Sequence, residues 1–178
     1  MWKDILEIGN DCRERFIELT HVPELTSLDI QLAGISDLSG NYRVGRSNPD
    51  NHTLFYTRSG AGKLYTETGT YNLQSNVLVI LPAKSPFIVE LAERESHWDI
   101  IWFNLSDSLK WQSLRDKETT IHTNLDLSHL YHLLELLYQE EIATLRQALI
   151  PVIGYHLLNT LNISDGHHQE HYRINQLF

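Results

Sequence analysis

The sequence has 178 residues, of which 42% are hydrophobic, enough for one domain with a real core and too many for a wholly disordered chain. It holds 14 Lys and Arg against 23 Asp and Glu, and its formal charge of −9 repels the phosphate backbones that nucleic-acid binders neutralise. No unbroken apolar run exceeds Val77–Leu81, no secretory pattern opens the chain, and the single cysteine, Cys12, excludes an internal disulfide, so we expect a cytoplasmic protein with no membrane partner.

The first predicted element is a helix over residues 2–19, inside an N-terminal segment of residues 1–24. Its apolar side chains fall near one face at helical spacing: Ile5, Leu6, Cys12, Phe16 and Ile17. Pro23 ends the segment, because proline biases the residue before it away from helical angles. The sequence leaves open whether this helix is a regulatory arm or a packed core element.

From residue 25 to residue 120 the pattern changes to short β-prone runs separated by turn residues. Seven runs have this character: Leu28–Ile35, Tyr42–Arg46, Thr53–Arg58, Lys63–Thr68, Val77–Leu81, Phe87–Leu91 and Trp98–Leu105. Short strands at this spacing are typical of an all-β sandwich or barrel. No helical pattern separates them, which argues against a parallel sheet built from βαβ units.

Two helices are predicted in the segment of residues 121–163. The first begins after Asp126, its predicted cap, and its apolar face carries Leu127, Leu130, Leu133, Leu134 and Leu137. The second covers residues 144–162 and contains Pro151, which we expect to kink or fray it. A linker over residues 164–171 and the start of another helix over residues 172–178 are predicted to follow.

The second helix carries apolar residues on two sides. One side holds Leu145, Leu149, Val152 and His156, and the others include Ile150, Ile153, Leu157, Leu158 and Leu161. Only one side can pack on the helix's own domain, and the other would be an exposed apolar patch, which usually marks an interface. The pattern predicts a homodimer in which two such helices pair around a two-fold axis. The alternative is a helix enclosed within its own domain.

Two strands carry the candidate ligand-binding residues. Alternation along the last long strand places Trp98 and Trp102 on one face, where they form either core packing or a stacking platform for a small organic ligand such as a sugar. Arg46 shares a strand face with Tyr42 and Val44. If that face points inward, Arg46 must be paired or must await an anionic or polyhydroxyl ligand; if it points outward, Arg46 is solvated.

The order of these features resembles the effector-binding domain of AraC-type transcription regulators over residues 42–178. The shared features are Arg46, the turn Ser59–Gly62, the run Leu78–Pro82 with Pro86, the residues Trp98, Trp102 and Phe103, and Trp111. The resemblance implies a fold that is mainly β with C-terminal α, namely a cupin-like β-barrel (a jelly-roll sandwich) followed by dimerising helices. It also implies that residues 172–178 begin a DNA-binding domain. The chain would then be a regulator truncated before that domain and would bind DNA only through it.

The resemblance also assigns pocket positions. It places the pocket arginine of the arabinose regulator on Arg46, a pocket histidine on Trp98 and a pocket tryptophan on Ile100, so arabinose is not carried over as the ligand. Together with strand alternation, it predicts that Arg46, Trp98 and Trp102 bind a small-molecule effector, a sugar or related polar metabolite, with Tyr42 near the pocket mouth. The alternative function is a stand-alone cupin that binds or isomerises a small carbohydrate.

Many cupins are metal-dependent enzymes, whose ligands are His and Glu side chains inside the barrel. The second cupin motif reads Pro82 to Phe87 here, with Lys84 at its glycine position and Phe87 at its ligand position. The His-x-His of the first motif is absent. We therefore expect no metal, no other cofactor and no enzyme activity.

Overall fold

The computed structural model of the chain describes residues 1–92 and 97–166. Within them, eleven strands form two antiparallel sheets, and two helices follow. The predicted sandwich followed by two helices is therefore confirmed. The predicted start of a further helix over residues 172–178 lies outside the described residues, as does most of the predicted linker.

The chain passes back and forth between the two sheets. The bounds of the strands are β1 Ile5–Ile8, β2 Arg13–Glu18, β3 Ile30–Ser39, β4 Tyr42–Arg46, β5 Asn51–Gly60, β6 Gly62–Thr66, β7 Gly69–Leu73, β8 Leu78–Leu81, β9 Phe87–Leu91, β10 His97–Ser106 and β11 Thr120–His122. One sheet has the order β1-β4-β9-β6-β7 and the other has the order β11-β8-β5-β10-β3-β2. Three pairs of consecutive strands, β2 and β3, β6 and β7, and β10 and β11, stay within one sheet. Short 3₁₀ helices cover Pro23–Leu28 and Leu109–Leu114, and the α-helices are α1, Ser128–Gln139, and α2, Ala143–Gly166.

The predicted N-terminal helix is wrong, because residues 2–19 form two strands instead. β1 pairs with β4, with Ile5 opposite Gly45, and β2 pairs with β3, with Ile17 opposite Ala33. The chain turns between them at Gly9, whose N–H donates to the carbonyl of Asn41 at 2.7 Å. Ladder hydrogen bonds to two central strands and complete burial of Ile17 outweigh the helical spacing of the apolar residues.

The six-stranded sheet separates two apolar cores because successive side chains of a strand point to opposite faces. On β10, Trp98, Ile100 and Trp102 face the space between the sheets, while Ile101 and Phe103 face the helices. The molecule is thus a three-layer stack of sheet, sheet and helices.

Helix α2 is fixed to the rest of the domain at its N-terminal end. The Arg146 guanidinium contacts the Glu24 carboxylate at 2.9 Å and also donates to the carbonyls of Glu140 and Glu141. The helix remains α-helical through Pro151, which is exposed, so the missing backbone hydrogen bond lies on the solvent side. Neither α1 nor any other described helix is both long enough and apolar enough to span a membrane.

Candidate functional site

A cavity of about 260 Å³ lies between the two sheets. Its lining comes from seven strands and is mostly apolar: Leu6, Ile8, Phe16, Leu32, Val44, Phe55, Phe87 and Trp102, with Glu14, Tyr42, Arg46, Asn51, Thr53 and Asn104 as the other members. The edge strands β1 and β2 both contribute, and Leu6 and Phe16 are 67% and 41% exposed, so these strands border its mouth. The cavity is therefore open to solvent between the two sheet edges.

Three of the four predicted effector-binding residues, Arg46, Tyr42 and Trp102, line this cavity, and Trp98 does not. Trp98 is fully buried behind the wall, where its indole N–H donates to the hydroxyl of Thr57 at 2.9 Å. Its ring packs edge-on against Tyr42, with centroids 6.1 Å apart. The predicted contact between Trp98 and the ligand is therefore replaced by a supporting role under Tyr42.

Trp102 forms part of the cavity wall because of the glycine opposite it. Gly34 pairs with Trp102 across the β3–β10 ladder, and a methyl group on Gly34 would overlap the indole ring. The ring thus lies across β3 and meets Phe16 of β2 edge-on, with centroids 5.8 Å apart. The absence of a side chain at residue 34 allows this aromatic wall to form.

A hydrogen-bonded chain leads from Trp102 to a carboxylate at the cavity. The Trp102 indole N–H donates to the Ser36 hydroxyl at 2.9 Å, and Ser36 donates in turn to the Glu14 carboxylate. Ser36 is fully buried, so the chain holds Glu14 in place from behind. Glu14 is not among the predicted site residues, because the predicted helix over residues 2–19 does not place it beside the cavity; strand alternation places Glu14 on the same face as Phe16.

Burial alters the acid–base properties of two lining groups. It raises the pKa of Glu14 by removing water from the carboxylate, and the hydrogen bond from Ser36 offsets only part of this effect. It also raises the pKa of Tyr42, to which the nearby Glu14 charge adds. Tyr42 therefore stays neutral at physiological pH, and Glu14 is harder to ionise than an ordinary glutamate.

Arg46 has an exposed side chain at the end of β4. Its guanidinium makes no hydrogen bond or ion pair with any described residue. The Asp4 carboxylate is near, but it accepts the backbone N–H of Ser47 at 2.9 Å and the Ser47 hydroxyl at 3.1 Å, and these bonds are the main reason that the pKa of Asp4 is lowered. Arg43 differs, since its Nε lies 3.3 Å from a Glu90 oxygen. Arg46 is thus a cation beside the cavity that the protein itself leaves available.

The cavity lining does not fit a metal centre. Among the described residues, the lining has one carboxylate, Glu14, and no histidine or cysteine, and Phe87 is a buried part of the wall. In residues 1–92 and 97–166, no three or more His, Cys, Asp or Glu side chains are grouped so that they could hold a metal ion. No metal chemistry is therefore assigned to this cavity.

Helix α2 presents apolar side chains on two sides, as its sequence predicts. Ile150, Ile153 and Leu157 are buried against the domain. We call the opposite side the outer stripe; its members are Leu145, Leu149, Val152, Tyr155 and His156. Of the predicted dimerisation residues, Leu145 and Val152 are exposed, whereas Leu149 and His156 are half-buried.

The chain matches one family of known domains over most of its length. The family of AraC-like ligand binding domains matches residues 30–169. A comparison with curated proteins found no significant match.

Several solved structures have a similar fold. One is protein Ylba from E. coli, with 15% identity, a TM-score of 0.51, and coverage of 67% of this chain and 48% of that one. A second is a cupin superfamily protein from Desulfitobacterium hafniense, with 11% identity, a TM-score of 0.41, and coverage of 58% of this chain and 84% of that one. A third is KdgF from Halomonas sp., with 13% identity, a TM-score of 0.42, and coverage of 59% of this chain and 86% of that one. This chain spans about half the length of protein Ylba, and that likeness concerns the fold alone.

Proposed function

Since this chain belongs to the family of AraC-like ligand-binding domains and has a cupin-like fold, we propose that it binds a small organic effector in the cavity between its sheets. One observation carries the proposal: the Arg46 guanidinium lies beside a mostly apolar cavity with no partner among the described residues. Ligand sites typically combine apolar walls with a few polar groups that fix orientation. A guanidinium that pairs with no protein group is available for this purpose.

We propose further that the domain is a homodimer through helix α2. The outer stripe supports this, because Leu145 and Val152 are 48% and 43% exposed while the opposite side of the helix is fully packed. Two copies related by a two-fold axis would cover each other's stripes in one antiparallel pair.

In this proposal the domain controls a helix-turn-helix domain that is not among the described residues. The charge of −9 supports that division, because phosphate contact would then fall to another part of the regulator. Effector binding would change the relation between the barrel and the helices, and so the placement of the DNA-binding domains.

We also propose that the cavity binds its effector without converting it. Catalysis by acid and base needs two suitably placed groups that can exchange protons. The lining offers Glu14, but the raised pKa of Tyr42 keeps its hydroxyl protonated, so Tyr42 does not serve as a base. Incubating the purified domain with each bound compound and analysing the solution by mass spectrometry should return the compound unchanged. Formation of an isomer would favour the stand-alone cupin instead.

A thermal-shift screen of sugars, sugar phosphates and aromatic acids tests the binding proposal. A ligand at 100 times its dissociation constant adds about 2.7 kcal/mol, which raises the melting temperature of a domain this size by roughly 5–11 °C. Arg46→Ala should abolish the shift, whereas Arg43→Ala should preserve it. Arg43 is the matched control, because it lies on the same strand and is paired with Glu90. A hit that binds Arg46→Ala as well as the wild type would contradict the proposed site.

A further inference from the structure

Among the described residues, the cavity lining has one cationic and one acidic group, and opposite sheets supply them. Arg46 comes from β4 of the five-stranded sheet, and Glu14 comes from β2 of the six-stranded sheet. The two do not form an ion pair with each other. A ligand between the sheets therefore meets a positive group on one side and an acidic group on the other.

Three other polar lining groups have protein partners. The Thr53 hydroxyl donates to the Asn104 side-chain oxygen at 3.3 Å, and the Asn51 amide donates to the Gln31 side-chain oxygen at 3.3 Å. Phe55 and Phe87 complete the wall with an edge-on contact, centroids 5.9 Å apart. A polyol with a hydroxyl on nearly every carbon would thus place several hydroxyls against apolar walls, where they lose water and gain no partner.

Glu14 has unused capacity as an acceptor. A carboxylate has about four lone-pair positions, and Ser36 fills one of them. The raised pKa of Glu14 agrees with a group that has lost water and gained only one donor. A ligand that offered no donor would leave this carboxylate desolvated, which costs binding free energy.

We infer that the effector is a small amphipathic organic acid, whose carboxylate binds Arg46, whose apolar body fills the cavity, and whose hydroxyl or ammonium group donates to Glu14. This inference rests on the proposed function and adds the chemical class of the effector. Guanidinium and carboxylate match in geometry and form strong charge-assisted hydrogen bonds. A cavity of about 260 Å³ is in the size range that suits a one-ring or short-chain acid.

Four probes of similar size separate the required groups. Phenyllactate has the carboxylate, the ring and the hydroxyl; hydrocinnamate lacks the hydroxyl; phenylpropanediol lacks the carboxylate; and glucose lacks the apolar body. Calorimetric titration of the whole domain should show phenyllactate binding at least about tenfold more tightly than each of the others, the effect of one charge-assisted hydrogen bond.

Two substitutions assign the preference to its residues. Arg46→Gln should reduce the preference for phenyllactate over phenylpropanediol to about one, and Arg43→Gln should leave it unchanged. Glu14→Gln keeps a hydrogen-bonding partner for Ser36. This variant should bind phenyllactate less tightly than the wild type does and hydrocinnamate more tightly. A merely structural role for Glu14 would weaken both. Glu18→Gln, on the same strand and outside the cavity lining, is the matched control.

The possible failures are distinguishable. If glucose or phenylpropanediol binds as tightly as phenyllactate through Arg46, the acid class is overturned and the proposed effector function stands. If phenyllactate binds Arg46→Gln unchanged, the carboxylate assignment is overturned. If no probe binds at millimolar concentration, the acid class is overturned, and the proposed function falls with it only when the metabolite screen is silent as well.

Discussion

Substitution of Val152 by glutamate tests the proposed dimer most directly. Val152 lies near the middle of α2, so in an antiparallel two-fold pair it would face its own copy. Full burial of a Val or Leu side chain contributes about 1.5–3 kcal/mol, and about half of that remains to be gained by Leu145, Val152 and Tyr155, which are 48%, 43% and 67% exposed. Three such side chains in each of two subunits give roughly 6 kcal/mol.

A micromolar complex needs a net of about 8.2 kcal/mol after the loss of translational and rotational freedom, about 4 kcal/mol or more, so the half-buried members of the outer stripe and their surroundings must also contribute. Val152→Glu removes about 2 kcal/mol of apolar burial and places two unpaired carboxylates together at the axis, which costs several kcal/mol more. We expect the dissociation constant to rise at least about 1,000-fold, since each 1.4 kcal/mol is a factor of ten.

Sedimentation analysis at several protein concentrations measures this change. Val152 is exposed in the single chain, so the monomer should keep its melting temperature within a few degrees. Leu109→Glu is the matched control, because Leu109 is 76% exposed and lies in a 3₁₀ helix far along the chain from α2. A wild-type chain that is monomeric at micromolar concentration, or a Val152→Glu variant that stays dimeric, would refute the reasoning.

Three further substitutions test the packing that supports the site. Gly34→Ala should displace the Trp102 ring and weaken effector binding, visible as a changed tryptophan emission spectrum; an unchanged spectrum would contradict the cavity wall. Glu24→Gln should lower the unfolding free energy by about 3 kcal/mol, because Arg146 loses its buried partner, and a loss below about 1 kcal/mol would show that the carbonyls of Glu140 and Glu141 suffice. Glu14→Gln should stabilise the domain at pH 7 in chemical denaturation: the raised folded-state pKa means that stability is lost as pH rises through it, so the gain should vanish near pH 4.

Alternating short runs made the barrel predictable from the sequence, and individual strand boundaries were harder to place. The run Lys63–Thr68 predicts a strand that the structure places at Gly62–Thr66, and its hairpin partner Gly69–Leu73 is not among the predicted strands; the turn between them ends at Gly69, with a φ of 153°. Alternation also predicts the correct sheet face for Trp98, but it does not predict that Trp98 lies behind the cavity wall. Strand parity says which sheet face a residue occupies, but it does not say what covers that residue, and here Gly62 of β6 lies against the Trp98 indole.

The missed residue Glu14 has a different cause. Helical and strand periodicities both fit the apolar residues of the first 19 positions, and a short segment does not decide between them. The choice was made by distant partners: β3 for Arg13–Glu18 and β4 for Ile5–Ile8. Because local pattern carries no information on these pairings, the sequence does not predict that β1 and β2 border the cavity mouth.

Strand β2 lies between the cavity and the helical layer and contributes side chains to both. Glu14 faces the cavity, while the next residue, Arg15, faces the opposite side and contacts Glu135 of α1 at 3.4 Å. A ligand that binds Glu14 and shifts it therefore acts on a strand whose other face contacts the helical layer. If effector binding changes the dimerisation constant by some factor, dimerisation must change effector affinity by the same factor, because the two equilibria are linked. Measuring effector affinity at protein concentrations below and above the dimer dissociation constant thus tests the coupling without any substitution, and equal affinities would show that the cavity and α2 are energetically independent.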